Sequence, residues 1–120
     1  MSFSKFSSMI YGDLKSGVKL VELLSNKENS IYPLQPSDLE GGSFIIYFIE
    51  NLGGTTRDLA NGWSVNILSF AEDYDSCCVV ADAVTDVLRG SGNEYKPLGG
   101  KPNRTSDGFL YIEQKFNIII

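Results

Sequence analysis

Apolar residues recur every fourth position in "FSKFSSMIYGDLKS", where Phe6, Ile10 and Leu14 fall on one side. That spacing predicts a first helix over residues 4–15, with Ser2 or Ser4 able to cap its start. Gly17 interrupts the pattern, and "VKLVELLS" resumes it as a shorter helical piece with Val18, Val21 and Leu24 on one side, closed by the polar run Asn26 to Ser30. Ile31 and Tyr32 then open an extended segment. Pro33 and Pro36 hold it open, because proline fixes its own φ and biases the preceding residue toward extended geometry, and Gly41-Gly42 end it. Six apolar residues follow without a break, Phe44 to Ile49. They are too few for a helix between such punctuation, and their β-branched and aromatic character predicts a strand covered on both faces.

"NLGGTTRDLANG", residues 51–62, is a long polar hairpin loop with Asn61-Gly62 as its last turn element. In "WSVNILSF", Trp63, Val65 and Ile67 alternate with Ser64 and Asn66, the mark of a half-buried antiparallel partner. Asp73 or Asp75 can cap a second long helix running to Arg89, with Cys77, Val80, Ala81, Val84, Val87 and Leu88 as its apolar stripe and Gly90 as its stop. "GSGNEYKPLGGKPNRTSDG", residues 90–108, predicts an edge strand around Tyr95 and a loop after it. From Phe109 to Ile120, Leu110, Ile112, Phe116 and Ile118 alternate with Tyr111, Glu113, Lys115 and Asn117, which predicts a long last strand. The expected fold class is therefore α+β: an antiparallel β-sheet of about four strands with two helices packed on one face. At 120 residues the chain is expected to form one domain, residues 1–120.

Composition narrows the chemistry. There is no histidine, which removes Ser-His and Cys-His nucleophiles and every imidazole zinc site. The adjacent Cys77 and Cys78 form no disulfide framework. Asp82 and Asp86, four apart on one helix face, read as that helix's solvated side rather than an acid pair, and Glu72-Asp73-Tyr74-Asp75 reads as a helix cap rather than a calcium loop. Two glycine-rich stretches are decoys: "YKPLGGKP" puts Pro102 where a phosphate loop needs Ser or Thr, and "GSGNEY" has Tyr95 where a dinucleotide fingerprint needs glycine. No enzyme activity, cofactor or metal is expected. With a net charge of −5 and scattered basic residues, tight nucleic-acid binding is not expected either. No apolar run nears the roughly 20 residues of a membrane span, and no secretory signal is read at the start, so an intracellular protein is expected.

A strand without a polar face beside a half-exposed one leaves the outer face of the sheet partly apolar, and a partner surface is the expected cover. "FNIII" makes the same demand at a chain end, a place usually frayed and polar. The interface candidates are Arg57 and Asp58 in the hairpin loop, as an inter-subunit ion pair, and Tyr111, Ile118 and Ile120 on the last strand.

The N-terminal helix, the block "IYPLQPSDLEGGSFIIYFIE", the strand-to-helix passage "WSVNILSFAEDYDSCCVVADAVTDVL" ending Leu-Arg-Gly, and the final "DGFLYIEQKFNI" together resemble, in order, the phage tail-completion and tail-terminator family. The resemblance implies a non-catalytic structural protein of a phage or prophage tail. It would form a homo-oligomeric ring, commonly a hexamer, that terminates the tail tube and joins it to the head connector. The tail tube and head-connector proteins would be its partners, and its place the virion tail after synthesis in the bacterial host cytoplasm. The loops at 51–62 and 90–108 are longer than in shorter members of that family. Read from residues alone, a small intracellular α+β binding module, monomeric or dimeric and of unknown ligand, stands as the alternative.

Overall fold

A computed structural model describes residues 2–33, 42–52 and 62–119. The first helix, α1 (Phe3–Lys15), starts where the Ser2 hydroxyl accepts the Lys5 N–H at 3.1 Å, and its Phe6, Ile10 and Leu14 are fully buried. Each of those three side chains contributes about 2 kcal/mol by leaving water. A short helix, α2 (Val18–Leu23), and a 3-10 turn (Lys27–Ser30) lead to β1 (Ile31–Pro33). Next come β2 (Phe44–Asn51), β3 (Gly62–Ala71), α3 (Tyr74–Arg89), β4 (Lys96–Arg104) and β5 (Leu110–Ile119). The cap of α3 is Asp73, whose carboxylate accepts the Ser76 N–H at 2.8 Å. That bond holds the Asp73 carboxyl below its usual range.

Among the described residues the sheet has five strands in the order β1-β2-β3-β5-β4. The expectation of about four antiparallel strands is corrected in two respects. Ile31 to Pro33 is a strand, and it pairs in parallel with β2, Ile31 opposite Ile45 and Pro33 opposite Tyr47. Among the described residues there are three α-helices rather than two, the third being the short piece expected after Gly17. The sheet is thus mixed, one parallel pair beside three antiparallel ones. β3 pairs antiparallel with β2 and with β5, and β5 with β4.

Strand parity assigns the two faces. Ile45, Tyr47, Val65, Ile67, Trp63, Phe116 and Ile118 lie on the inner face and join Phe6, Ile10, Leu14, Leu20, Val80, Val84 and Leu88 in the main core. There α1 packs on β1 and β2, and α3 on β3 and β5. Trp63 is wedged beneath α1, with its ring centroid 5.0 Å from Phe3 and 5.2 Å from Phe6. The short α2 lies against α1 and α3, outside this layer. Its buried residue is Leu20, whereas Val18 is 70% exposed, so the predicted Val18, Val21 and Leu24 stripe is replaced by Leu20 and Leu24. With under two turns, tertiary docking sets the orientation of this helix.

Gly17 permits that docking. It separates α1 from α2, and a Cβ there would overlap the Val87 side chain of α3. A polar clamp ties the same region to the far end of α3. The Asp13 Oδ2 accepts from the Tyr95 hydroxyl at 2.7 Å and from the Asn93 amide at 2.9 Å. Burial, followed by the neighbouring Asp13, pushes the Tyr95 phenol above its usual range.

Candidate functional site and assembly surfaces

The second face of the sheet explains the strand without a polar side. Phe44, Ile46 and Phe70 form a separate small core there, flanked by Tyr32, Leu68, Phe109 and Tyr111. Four aromatic rings cross four adjacent strands: Tyr32 to Phe44 at 6.2 Å, Phe44 stacked on Phe70 at 4.5 Å, and Phe70 to Tyr111 at 4.9 Å. Register produces this ladder, since Phe44 faces Phe70 and Phe70 faces Tyr111. Only the first half of β2 is covered on both sides. Beyond Tyr47 the same face opens, and Phe48 is 38% exposed.

Further along, this face turns polar, with Asn66, Ser64, Lys115 and Asn117 at the same parity. Asn66 Oδ1 and Asn117 Oδ1 are shut off from solvent without a hydrogen-bond partner. Trp63 Nε1, Ser69 Oγ and Gln114 Oε1 on the inner face are likewise shut off without a partner, so such atoms do not distinguish the outer face.

The candidates from the sequence are scattered by the fold. Tyr111 ends the aromatic ladder, half-buried on the outer face, where a partner could reach it. Ile118 points the other way: it faces inward opposite Trp63, is 3% exposed and belongs to the main core. Its burial is supplied by the chain's own helices, so it has no surface left to offer. Arg57, Asp58 and Ile120 lie outside the described residues.

Two surfaces are not legible in the sequence. An open groove of about 750 Å³ runs between α2 and α3. Its floor is Gly17, Leu23, Val79, Ala83 and Val87; its rim carries Glu22, Asp82 and Asp86, with Lys19. The other surface is β4, which is exposed along its whole length. A register shift between Pro97 and Gly100, with Gly99 at φ 110°, bulges the strand at Leu98, which is 54% exposed. Lys96 and Lys101 flank it, Arg104 ends the strand, and no acid lies within it. A cleft of about 300 Å³, lined by Thr85, Gln114 and Gly100 among others, separates β4 from α3. On its floor Gln114 donates to Thr85 at 2.8 Å.

Acid and thiol groups do not converge. Among the described residues no group of three or more His, Cys, Asp or Glu side chains is placed to hold a metal ion. Asp82 and Asp86 are exposed on α3. Cys77 is buried against the carbonyls of Ala71 and Leu110, and burial pushes its thiol up. No helix among the described residues is long and apolar enough to cross a membrane.

Comparison with known proteins gives one kind of match. No protein-family model and no curated protein sequence matches the chain. A solved chain from the virion of a native gene transfer agent particle shares the fold, with a TM-score of 0.72 over 98% of this chain and 98% of that one, at 16% sequence identity. The agreement extends from end to end, so the five-strand sheet and its helices form one shared architecture.

Proposed function

We propose that this protein is a structural component of a phage-like particle, and that its place is the tail: a homo-oligomeric ring that terminates the tail tube and joins it to the head connector. The observation that carries the reading is the full-length fold match to a chain of a gene transfer agent virion. The ordered resemblance of the sequence to tail-completion and tail-terminator proteins supports the finer part, and its common assembly, a hexamer, is the stoichiometry adopted. The physical surfaces agree with a role in assembly. The outer sheet face carries an aromatic ladder ending at the half-buried Tyr111, and Phe48 is exposed on the same face. Such a protein acts through shape and surface complementarity, and Tyr111 is the residue of the outer face assigned to a neighbour. Arg57, Asp58 and Ile120 are assigned to subunit contacts on the same reading.

Deletion of the gene from the particle-producing element, followed by electron microscopy, tests the role. The expected result is filled heads without joined tails, or tails of uncontrolled length, restored by supplying the gene in trans. Normal particles in normal numbers from the deletion strain would overturn the proposal.

A further inference from the structure

Two exposed features of this chain are complementary to each other and lie on either side of α3, whose Asp82 borders both the α2–α3 groove and the cleft against β4. One is a knob. Leu98 projects from a bulge in the edge strand β4, and bulges at sheet edges characteristically re-aim a side chain. Lys96 and Lys101 flank it at the parity of the outer sheet face, Lys101 standing opposite Glu113 on β5. The other is a socket. The groove between α2 and α3 has an apolar floor of Leu23, Val79, Ala83 and Val87, and three carboxylates against one lysine on its rim. An apolar side chain flanked by two cations matches an apolar groove whose rim is mainly anionic.

The strand itself argues against the simplest alternative for an edge, which is extension of the sheet by another strand. Pro97 and Pro102 each lack a backbone donor, and the bulge with Gly99 at φ 110° breaks the flat edge that strand addition requires. β4 is therefore built to present side chains rather than its backbone.

Accepting the ring reading above, we propose that Leu98 of one copy docks in the α2–α3 groove of a second copy, with Lys96 and Lys101 meeting Glu22 and Asp86. Knob and groove are different patches, so the contact is heterologous and propagates from copy to copy until a ring closes. This contact adds to the subunit contacts assigned to Arg57, Asp58 and Ile120, and the outer face with Tyr111 is left for other partners.

The test uses the whole chain, two single substitutions and light scattering across a concentration series. Leu98→Glu puts a carboxylate on the knob, and Val79→Glu puts one in the groove. Both positions are exposed, Leu98 at 54% and Val79 at 50%, so thermal melting should show both variants folded. Wild type should associate, more weakly as salt is raised. Each variant alone should associate at least about tenfold more weakly. Mixed together, the two variants retain one intact knob and one intact groove per pair, and should form a 1:1 heterodimer that grows no further. A wild-type ring that both variants reproduce would overturn the docking and leave the ring reading standing. A wild-type chain that stays monomeric to millimolar concentration would overturn the self-docking, while the deletion experiment above would still decide the virion role.

Discussion

Replacing Asp13 with Ala sets two physical effects of opposite sign against each other. Asp13 lies in the last turn of α1, where a negative charge opposes the helix dipole. On that ground alone its removal should stabilise by about 0.3–1 kcal/mol. The clamp predicts the reverse. Asp13 accepts from Tyr95 at 2.7 Å and from Asn93 at 2.9 Å, and Tyr95 is only 9% exposed, so the substitution strips a buried hydroxyl of its acceptor. Hydrogen bonds to a charged group contribute about 1.5–3 kcal/mol, less where water can replace the partner, as it can at Asn93. The net expectation is a loss of about 1.5–2.5 kcal/mol, or a melting temperature lower by about 5–10 °C. Tyr95→Phe keeps the ring in the core and removes one bond, so about 1 kcal/mol should be lost. The assay is urea unfolding of both single variants and the double variant. A coupling energy of at least about 0.5 kcal/mol is expected between the two positions. Additive effects, or a stabilised Asp13→Ala, would refute the clamp and show that the helix dipole outweighs it.

Gly17→Ala should destabilise by about 1–3 kcal/mol through overlap with Val87, and the additional change Val87→Ala should recover part of that loss in the same unfolding assay. Because the folded state raises the Tyr95 phenol above its usual range, the unfolded chain loses this proton first. The stabilisation is complete below about pH 10 and lost as pH rises above it, and Tyr95→Phe should flatten that alkaline decline in a stability-versus-pH series. A thiol reagent should label the half-exposed Cys78 in the native protein and reach the buried Cys77 only on unfolding, which peptide mass spectrometry would resolve.

Much of this fold could be read from local patterns because the determining contacts recur along each element. Phe6, Ile10 and Leu14 mark the buried side of α1, and the α3 stripe from Cys77 to Leu88 packs as its spacing predicts, apart from the half-buried Val87. The alternation in "WSVNILSF" assigns the inner face of β3 correctly. What escaped depends on distant partners. Ile31 to Pro33 is a strand only because β2 lies beside it in parallel, a pairing that three residues cannot announce. The edge strand expected around Tyr95 runs instead from Lys96 to Arg104, where two prolines and two glycines read as loop, yet an edge position and a bulge accommodate all four. Ile118 belongs by alternation with Leu110, Ile112 and Phe116, but that the core and not an interface takes it follows only from its register opposite Trp63.

For the candidate surfaces, the run Phe44 to Ile49 signalled that both faces of β2 needed cover, and Phe44 and Ile46 meet that need within the chain. The aromatic ladder required knowing which residues of β1, β2, β3 and β5 stand opposite one another. The α2–α3 groove arises where Gly17 lets two helices approach, and no spacing within either helix reveals it.

Cryo-electron microscopy of tailed particles from the host that encodes this chain would decide between a tail ring and any other role. A ring of copies of this five-strand fold is predicted at the joint between tail tube and head connector. Complete, joined particles in which no density matches this chain would contradict that assignment.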